Sequence, residues 1–264
     1  ESLGQLYFNG TGVKQDDSHA VALFRRACDG DALGGCYALG WMYANGRGGA
    51  HDDAQAVALY RKVCEGGVLL GCNNLGVMYR DGTGVPQDTN EAVELFKKAC
   101  DGGVVLGCAN LGALYYEGNG VPPDRIQAAT FYRKACDGGA LGSCSDLGTL
   151  YHEGFGALQD SVQAATLYRK ACDGGEFAGC TNLGILYDHG RGVKRDEFQA
   201  ADLFQKACEG GAAEGCHNLA AAYLRGNGRP QDEGDALRYL RKACELRNQQ
   251  SCKNYALLKK GKLE

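Results

Sequence analysis

Cys72–Cys100 reads CNNLGVMYRDGTGVPQDTNEAVELFKKAC, and these residues decide the fold. Cys72, Leu75, Gly76 and Tyr79 fall at helical spacing and form one apolar stripe. Ala92, Val93, Leu95, Phe96, Ala99 and Cys100 form a second. Between the stripes lies Gly82-x-Gly84-x-x-x-Asp88. Gly82 suits the left-handed residue that ends a helix. Asp88 suits the N-cap of the next one, with Glu91 three residues on completing a capping box. Gln55, Gln127, Gln163 and Gln199 repeat that box after Asp52, Asp124, Asp160 and Asp196. The stretch is therefore a helix pair, A then B, and Asp-Gly-Gly after it turns the chain into the next helix A.

Working outward, the same unit returns every 36 residues. All 14 cysteines fall into seven C-x7-C pairs: Cys28/Cys36, Cys64/Cys72, Cys100/Cys108, Cys136/Cys144, Cys172/Cys180, Cys208/Cys216 and Cys244/Cys252. An even count with none left over is what a disulfide framework requires. The rival reading, zinc, favours two close pairs of the C-x2-C to C-x4-C type. Each bridge would join the end of a helix B to the second turn of the following helix A. Closing so short a loop stabilises by ~2–3 kcal/mol per bridge. Stable disulfides imply an oxidising compartment, periplasmic or secreted. Reactive-thiol chemistry would want a C-x-x-C at a helix N-terminus, and none is present.

The expected architecture is an all-α, disulfide-stapled α/α solenoid of helix-turn-helix repeats with about fifteen helices. It is read as one domain over 1–264, with a partial first repeat at 1–31, repeats over 32–247 and a capping helix at 248–264. The cap reading rests on Tyr255-Ala256 in place of Leu-Gly and on Lys259 and Lys260, since an outer face must meet water. Gly4, Gly40, Gly76, Gly112, Gly148 and Gly184, with Ala220 at the seventh place, sit inside helix A and predict close helix–helix approach. The G-x-G elements follow a helix rather than a strand and recur, so they read as helix punctuation and not as a phosphate loop. Net charge is −4 with both signs interspersed, which argues against a nucleic-acid partner. No apolar run approaches a membrane span. The chain opens at Glu1 inside a repeat with no signal sequence, so a longer natural chain is expected.

On helix A, the face opposite the Cys-Leu-Tyr stripe has its own columns. The second residue after each Cys runs Ala38, Asn74, Asn110, Asp146, Asn182, Asn218 and Asn254. A side-chain amide offers donors and an acceptor that match a peptide backbone. The first position runs Tyr37, Asn73, Ala109, Ser145, Thr181, His217 and Lys253, and the fifth begins at Trp41. The eighth includes Arg80, Tyr116 and His152. The amide column, with Arg80, Tyr116 and His152, is the expected binding surface for an extended peptide or protein partner. The opposing reading is that the amides bond adjacent helices to each other. His152 with Glu153, and Asp188 with His189, form the one polar cluster placed to meet across repeats.

The motifs Leu-Gly-x-Leu-Tyr-x-x-Gly-x-Gly-Val-x-x-Asp and Ala-x-x-Leu-Tyr-Arg-Lys-Ala-Cys-Asp-Gly-Gly resemble Sel1-like repeats, a subclass of the tetratricopeptide-like solenoids. The C-x7-C form resembles the Helicobacter cysteine-rich proteins, and the likeness covers essentially the whole chain. It implies a right-handed superhelix with a concave groove lined by A helices, and an adaptor role in bacterial envelopes, secretion or host contact. It also implies an alternative, a weak β-lactam-binding or β-lactamase-like protein. The sequence carries none of S-x-x-K, S-D-N or K-T-G and no H-E-x-x-H. The reading therefore favours a monomeric, non-enzymatic scaffold with no cofactor and no metal.

Overall fold

The computed structural model describes residues 2–49, 51–154 and 159–261. Among them are fifteen α-helices and no strand. The A helices are α1 (Leu3–Asn9), α3 (Leu33–Ala44), α5 (Leu69–Asp81), α7 (Val105–Glu117), α9 (Leu141–Glu153), α11 (Phe177–His189), α13 (Ala213–Arg225) and α15 (Gln249–Leu258). The B helices are α2 (Asp17–Asp29), α4 (Asp53–Glu65), α6 (Thr89–Asp101), α8 (Arg125–Asp137), α10 (Ser161–Asp173), α12 (Glu197–Glu209) and α14 (Glu233–Glu245). Contacts gather into two compact units, Glu1–Asp124 and Arg125–Glu264. None of the helices is long and apolar enough to cross a membrane.

Helix boundaries follow the residues read from sequence, with one correction. The N-cap aspartates do accept from the backbone three residues on, as in Asp52 from Gln55 N at 2.9 Å, Asp88 from Glu91 N at 3.1 Å and Asp196 from Gln199 N at 3.0 Å. The reciprocal half of the capping box is absent among these. The aspartate's own N–H is already taken by the tyrosine carbonyl of the preceding helix A: Asp52 N to Tyr43 O at 3.3 Å, Asp88 N to Tyr79 O at 3.0 Å, Asp196 N to Tyr187 O at 3.0 Å. Gln55 turns its amide instead onto the Asp52 carboxylate at 2.8 Å. The link that ties B to A is thus main-chain, and the residue at the third position is free to vary.

Both glycines of G-x-G are left-handed, as in Gly82 (φ 69°) and Gly84 (φ 69°). Gly82 ends α5, its N–H bonded to Met78 O. Gly84 has a second constraint: a Cβ there would lie 2.4 Å from the backbone of Asp53, so the loop rests on the first turn of the previous helix B.

The core alternates helix-A leucine and cysteine with helix-B alanine and aromatic residues, as in Cys72, Leu75, Ala92, Phe96 and Ala99. The glycine column inside helix A has a specific neighbour. A Cβ on Gly4, Gly40, Gly76, Gly148 or Gly184 would meet the ring of Phe24, Tyr60, Phe96, Tyr168 or Phe204 on the following helix B. Where that ring gives way to Leu240, the glycine gives way to Ala220.

All seven expected disulfides are present: Cys28–Cys36, Cys64–Cys72, Cys100–Cys108, Cys136–Cys144, Cys172–Cys180, Cys208–Cys216 and Cys244–Cys252. Their Cα–Cα separations are 4.4–4.7 Å, and no free cysteine remains. The first cysteine of each pair is the penultimate residue of its helix B. The second is the fourth residue of its helix A, where the first turn closes into the second, and this holds for Cys36, Cys72, Cys108, Cys144, Cys180, Cys216 and Cys252 alike. At 3.6 residues per turn that position is the earliest one stacked over the helix start, so its sulfur reaches back to the helix B just left. Basic residues beside the bridges reach back one repeat: Lys62 Nζ to Cys28 O at 3.4 Å, Lys98 Nζ to Cys64 O at 3.4 Å and Lys170 Nζ to Cys136 O at 3.0 Å. These cations sit at helix C-termini, where the carbonyl ends favour them.

Candidate functional site

The stripe that buries Cys, Leu and Gly leaves the opposite side of each A helix for the variable columns. The bridge cysteines themselves lie outside that face. Cys36, Cys72, Cys108, Cys144, Cys180 and Cys216 are buried, Cys252 is half-buried in the last helix, and every one is held in a disulfide. Their part is structural: they fix the spacing of the columns and present no thiol to a ligand.

Exposure along the columns differs from the open surface the sequence suggests. The first position is buried at Asn73, Ser145 and Thr181. In the second, Asn74, Asn110, Asn182 and Asn218 are half-buried and Asp146 is exposed.

In the first unit the amides are linked to each other. Asn74 Nδ2 donates to the Tyr37 hydroxyl at 3.3 Å, and Asn73 Nδ2 donates to Asn74 Oδ1 at 3.2 Å. Asn110 Nδ2 donates to Asn73 Oδ1 at 3.0 Å, and Arg80 Nη1 reaches Asn110 Oδ1 at 3.5 Å. Arg80 is itself held by both carboxylate oxygens of Asp81, at 2.7 and 3.0 Å. One polar run therefore crosses α3, α5 and α7, and the bonding of adjacent helices is real here. Tyr116, half-buried, lies farther along α7. Beside Arg80 and Asn110 a polar cleft of about 860 Å³ opens, walled also by Asp81, Glu117 and Asn119. Behind the run, burial pushes the Tyr60 hydroxyl up to about 12.

In the second unit the column is less engaged. Asn182 and Asn218 make no side-chain hydrogen bond to any described residue. Asn218 lines a small cavity of about 120 Å³ with Ile185, Asp188 and Ala221. Asp146 replaces asparagine with a charge, and its carboxyl is pushed up to about 6, first by desolvation among its neighbours and then by the Glu176 carboxylate. Solvent still reaches it, which screens both effects.

His152 sits below the usual histidine value, through burial first and then through Arg191, and its Nδ1 is buried without a hydrogen-bond partner. Glu153 and His189 also act on it electrostatically, and His189 Nδ1 lies 3.7 Å from Asp188 Oδ2 on the same helix. Among the described residues no group of three His, Cys, Asp or Glu could hold a metal ion. His217 is lowered chiefly by burial and bonds Ser251 Oγ at 2.8 Å.

Phe8 falls outside the cysteine ruler, in the partial first repeat before any cysteine. Together with Tyr37 and Trp41 it walls an apolar cup of about 300 Å³ between α1 and α3. Its signal in the sequence is its place 36 residues before Ala44, in the column of Arg80, Tyr116 and His152.

Stapled helix pairs that present a face of variable side chains define a repeat scaffold. The Sel1 repeat pattern matches residues 2–31, 34–68, 69–104, 105–139, 142–176, 178–211 and 213–248, and the chain belongs to the Sel1 repeat family. Proteins of this family generally mediate protein interactions. A protective antigen of uropathogenic Escherichia coli with an SLR fold is 34% identical over 97% of this chain, at a TM-score of 0.85. This chain spans 55% of that antigen. A Sel1 repeat protein from Oxalobacter formigenes is 26% identical, covering 92% of this chain and 98% of its own, at a TM-score of 0.83. The cysteine-rich protein B of Helicobacter pylori is 30% identical over 50% of this chain and 96% of its own, at a TM-score of 0.41. No curated protein sequence matches.

Proposed function

We propose that this chain is an interaction scaffold of an oxidising compartment, periplasmic or extracellular, which binds an extended peptide segment of a protein partner along the variable face of its A helices. The observation that carries the reading is the amide column. Asn182 and Asn218 repeat at one position of successive A helices, half-buried and without an intramolecular hydrogen bond among the described residues. Amides left in that state are matched to main-chain N–H and C=O groups, which offer the same bonds to every partner sequence. Specificity would then come from the variable positions within each unit, Arg80 and Tyr116 in the first and His152 in the second. In the first unit Asn74 and Asn110 are already tied into the polar run, so there the column presents a rigid, preorganised edge. The seven bridges support the compartment assignment, because a disulfide framework persists where thiols are not kept reduced.

The test is selection of binders from a random linear peptide library on the oxidised protein, followed by calorimetric titration of a selected peptide. Asn182→Ala combined with Asn218→Ala should weaken binding at least ten-fold while leaving the circular dichroism spectrum and Tm in place. Unchanged affinity in that double variant would overturn the amide column as the binding surface.

A further inference from the structure

We infer that the cavity between α11 and α13 takes an arginine side chain of the bound peptide, its guanidinium set on the Asp188 carboxylate and within reach of the Asn218 amide oxygen. The inference rests on the peptide-binding reading above and names one residue that the peptide must carry.

The cavity, about 120 Å³, lies wholly within the second unit and holds one of the two unbonded amides of the column, Asn218. Ile185 and Ala221 line it, with Ala200, Ala201 and Phe204 of α12 buried behind them. Asp188 joins this lining from the eighth column position. Its side chain is 25% exposed, yet no lysine or arginine among the described residues lies within ion-pair distance of its carboxylate. The cations nearby are engaged elsewhere. His189 Nδ1 is 3.7 Å away and donates instead to the Ile185 carbonyl at 2.9 Å. Arg195 gives Nε to the Asp188 main-chain carbonyl at 3.0 Å and Nη2 to Glu197 at 2.5 Å. Arg225 lines the same cavity without an ion pair among the described residues, but it is exposed and keeps its water. A half-buried carboxylate has lost part of its hydration and gains most from a partner. That asymmetry makes the cavity a site for a cation rather than an anion.

The first unit shows which cation such a frame holds. In its polar cleft Arg80, Asn110, Ala113 and Asn119 occupy the columns that Asp188, Asn218, Ala221 and Asn227 occupy in the second unit. There the chain supplies a guanidinium of its own. Arg80 is held by both oxygens of Asp81, at 2.7 and 3.0 Å, and reaches Asn110 Oδ1 at 3.5 Å. A carboxylate and the column amide are thus the partners of a guanidinium in this frame. In the second unit Asp188 replaces the arginine of the column, so carboxylate and amide are both in place and no arginine of the described chain joins them. A peptide arginine completes the set. Its planar fork matches the two oxygens of a carboxylate. Its methylene stem lies along the apolar lining at Ile185 and Ala221. The Asn218 oxygen can accept from the guanidinium while its NH2 serves the peptide main chain, so cavity and column act on one ligand.

The test uses the oxidised protein and the same random linear library. The expected result is arginine at one fixed position of the selected peptides, with a loss of about ten-fold or more when it is replaced by glutamine. Asp188→Asn, which keeps the shape and removes the charge, should cost as much, and the two losses should not add when combined. Asp188→Arg, which repeats the side chain of Arg80 at that column, should abolish the arginine preference in a fresh selection. The glutamine peptide on the unaltered protein keeps the test valid if an Asp188 variant loses its circular dichroism spectrum. A fixed acidic residue would hand recognition to Arg225 and overturn the arginine assignment. Peptides with no fixed arginine, or peptides that bind Asp188→Asn as tightly as wild type, would overturn it too. In each of these cases, affinity lost in the Asn182→Ala, Asn218→Ala double variant leaves the amide column standing. Selection of no peptide at all would overturn both.

Discussion

Gly184 and Phe204 pack so closely that a single methyl group decides whether they fit. A Cβ at 184 would lie 2.6 Å from the Phe204 ring. Gly184→Ala gains about 1 kcal/mol of helix propensity, but the overpacking costs about 1–3 kcal/mol, so net destabilisation is expected. In the presence of Phe204→Leu the same change should become neutral or stabilising, since Ala220 and Leu240 already form that pair. Urea denaturation of the four proteins of this cycle reads the coupling, and additive effects would exclude the contact. Asp146 makes a second prediction, with the sign set by its raised pKa. The folded protein holds this proton more tightly than the unfolded chain does, so ionised Asp146 opposes folding above pH about 6, and that opposition fades as pH falls from about 6 to 3.8. Asp146→Asn should therefore raise Tm at neutral pH, and the gain should shrink on acidification and vanish near the ordinary carboxylate range. A gain independent of pH would point to packing instead of charge.

At the scale of the element, the B helices α2, α4, α6, α10, α12 and α14 are each set by an aspartate that uses both its side chain and its main chain. Asp196 accepts from Gln199 N while its N–H bonds Tyr187 O, so the cap also fixes the angle at which B leaves A. Asp196→Ala should cost about 1 kcal/mol, and Asp196→Asn, which keeps an acceptor oxygen, should recover most of it in thermal melts. The capping box was legible in the sequence as far as the aspartate. Its second half was not, because the competing acceptor, the Tyr187 carbonyl, comes from the neighbouring helix. The tyrosine column has a similar lesson. It reads as part of the apolar stripe, yet Tyr79 is only half-buried and its hydroxyl accepts from Arg61 at 2.6 Å, with Arg169 and Tyr187 repeating the pair at 2.9 Å. The arginine that closes on it lies 18 residues earlier, outside the range in which helical periodicity speaks.

For the molecule as a whole, repeats that contact mainly their neighbours give a stability that is roughly a sum of local terms. Each bridge closes a short loop between consecutive helices, so its loss should be felt locally and add up. Cys172→Ala with Cys180→Ala should remove ~2–3 kcal/mol, about 5–10 °C in Tm for a chain of this size. Complete reduction should lower Tm far more. Calorimetry with and without reductant checks both, and unchanged unfolding after full reduction would remove the bridges from the account of stability.

The repeat length, the helix pairs, the cysteine partners and the columns of helix A were all legible in the linear sequence. Each is a local property, expressed within about one repeat and then reinforced by recurrence. Tertiary packing decided what those columns do. Asn74 and Asn110 became links in a run from Tyr37 to Arg80, Asn182 and Asn218 kept their amides unbonded among the described residues, and Phe8 joined Tyr37 and Trp41 around a cup. The physical reason is distance along the chain. Helical periodicity says which face a residue occupies, whereas the partner it meets there lies some 30 to 37 residues away, as with Arg80 and Asn110 or Tyr37 and Asn74. Only the stacking of one helix A on the next brings them within reach.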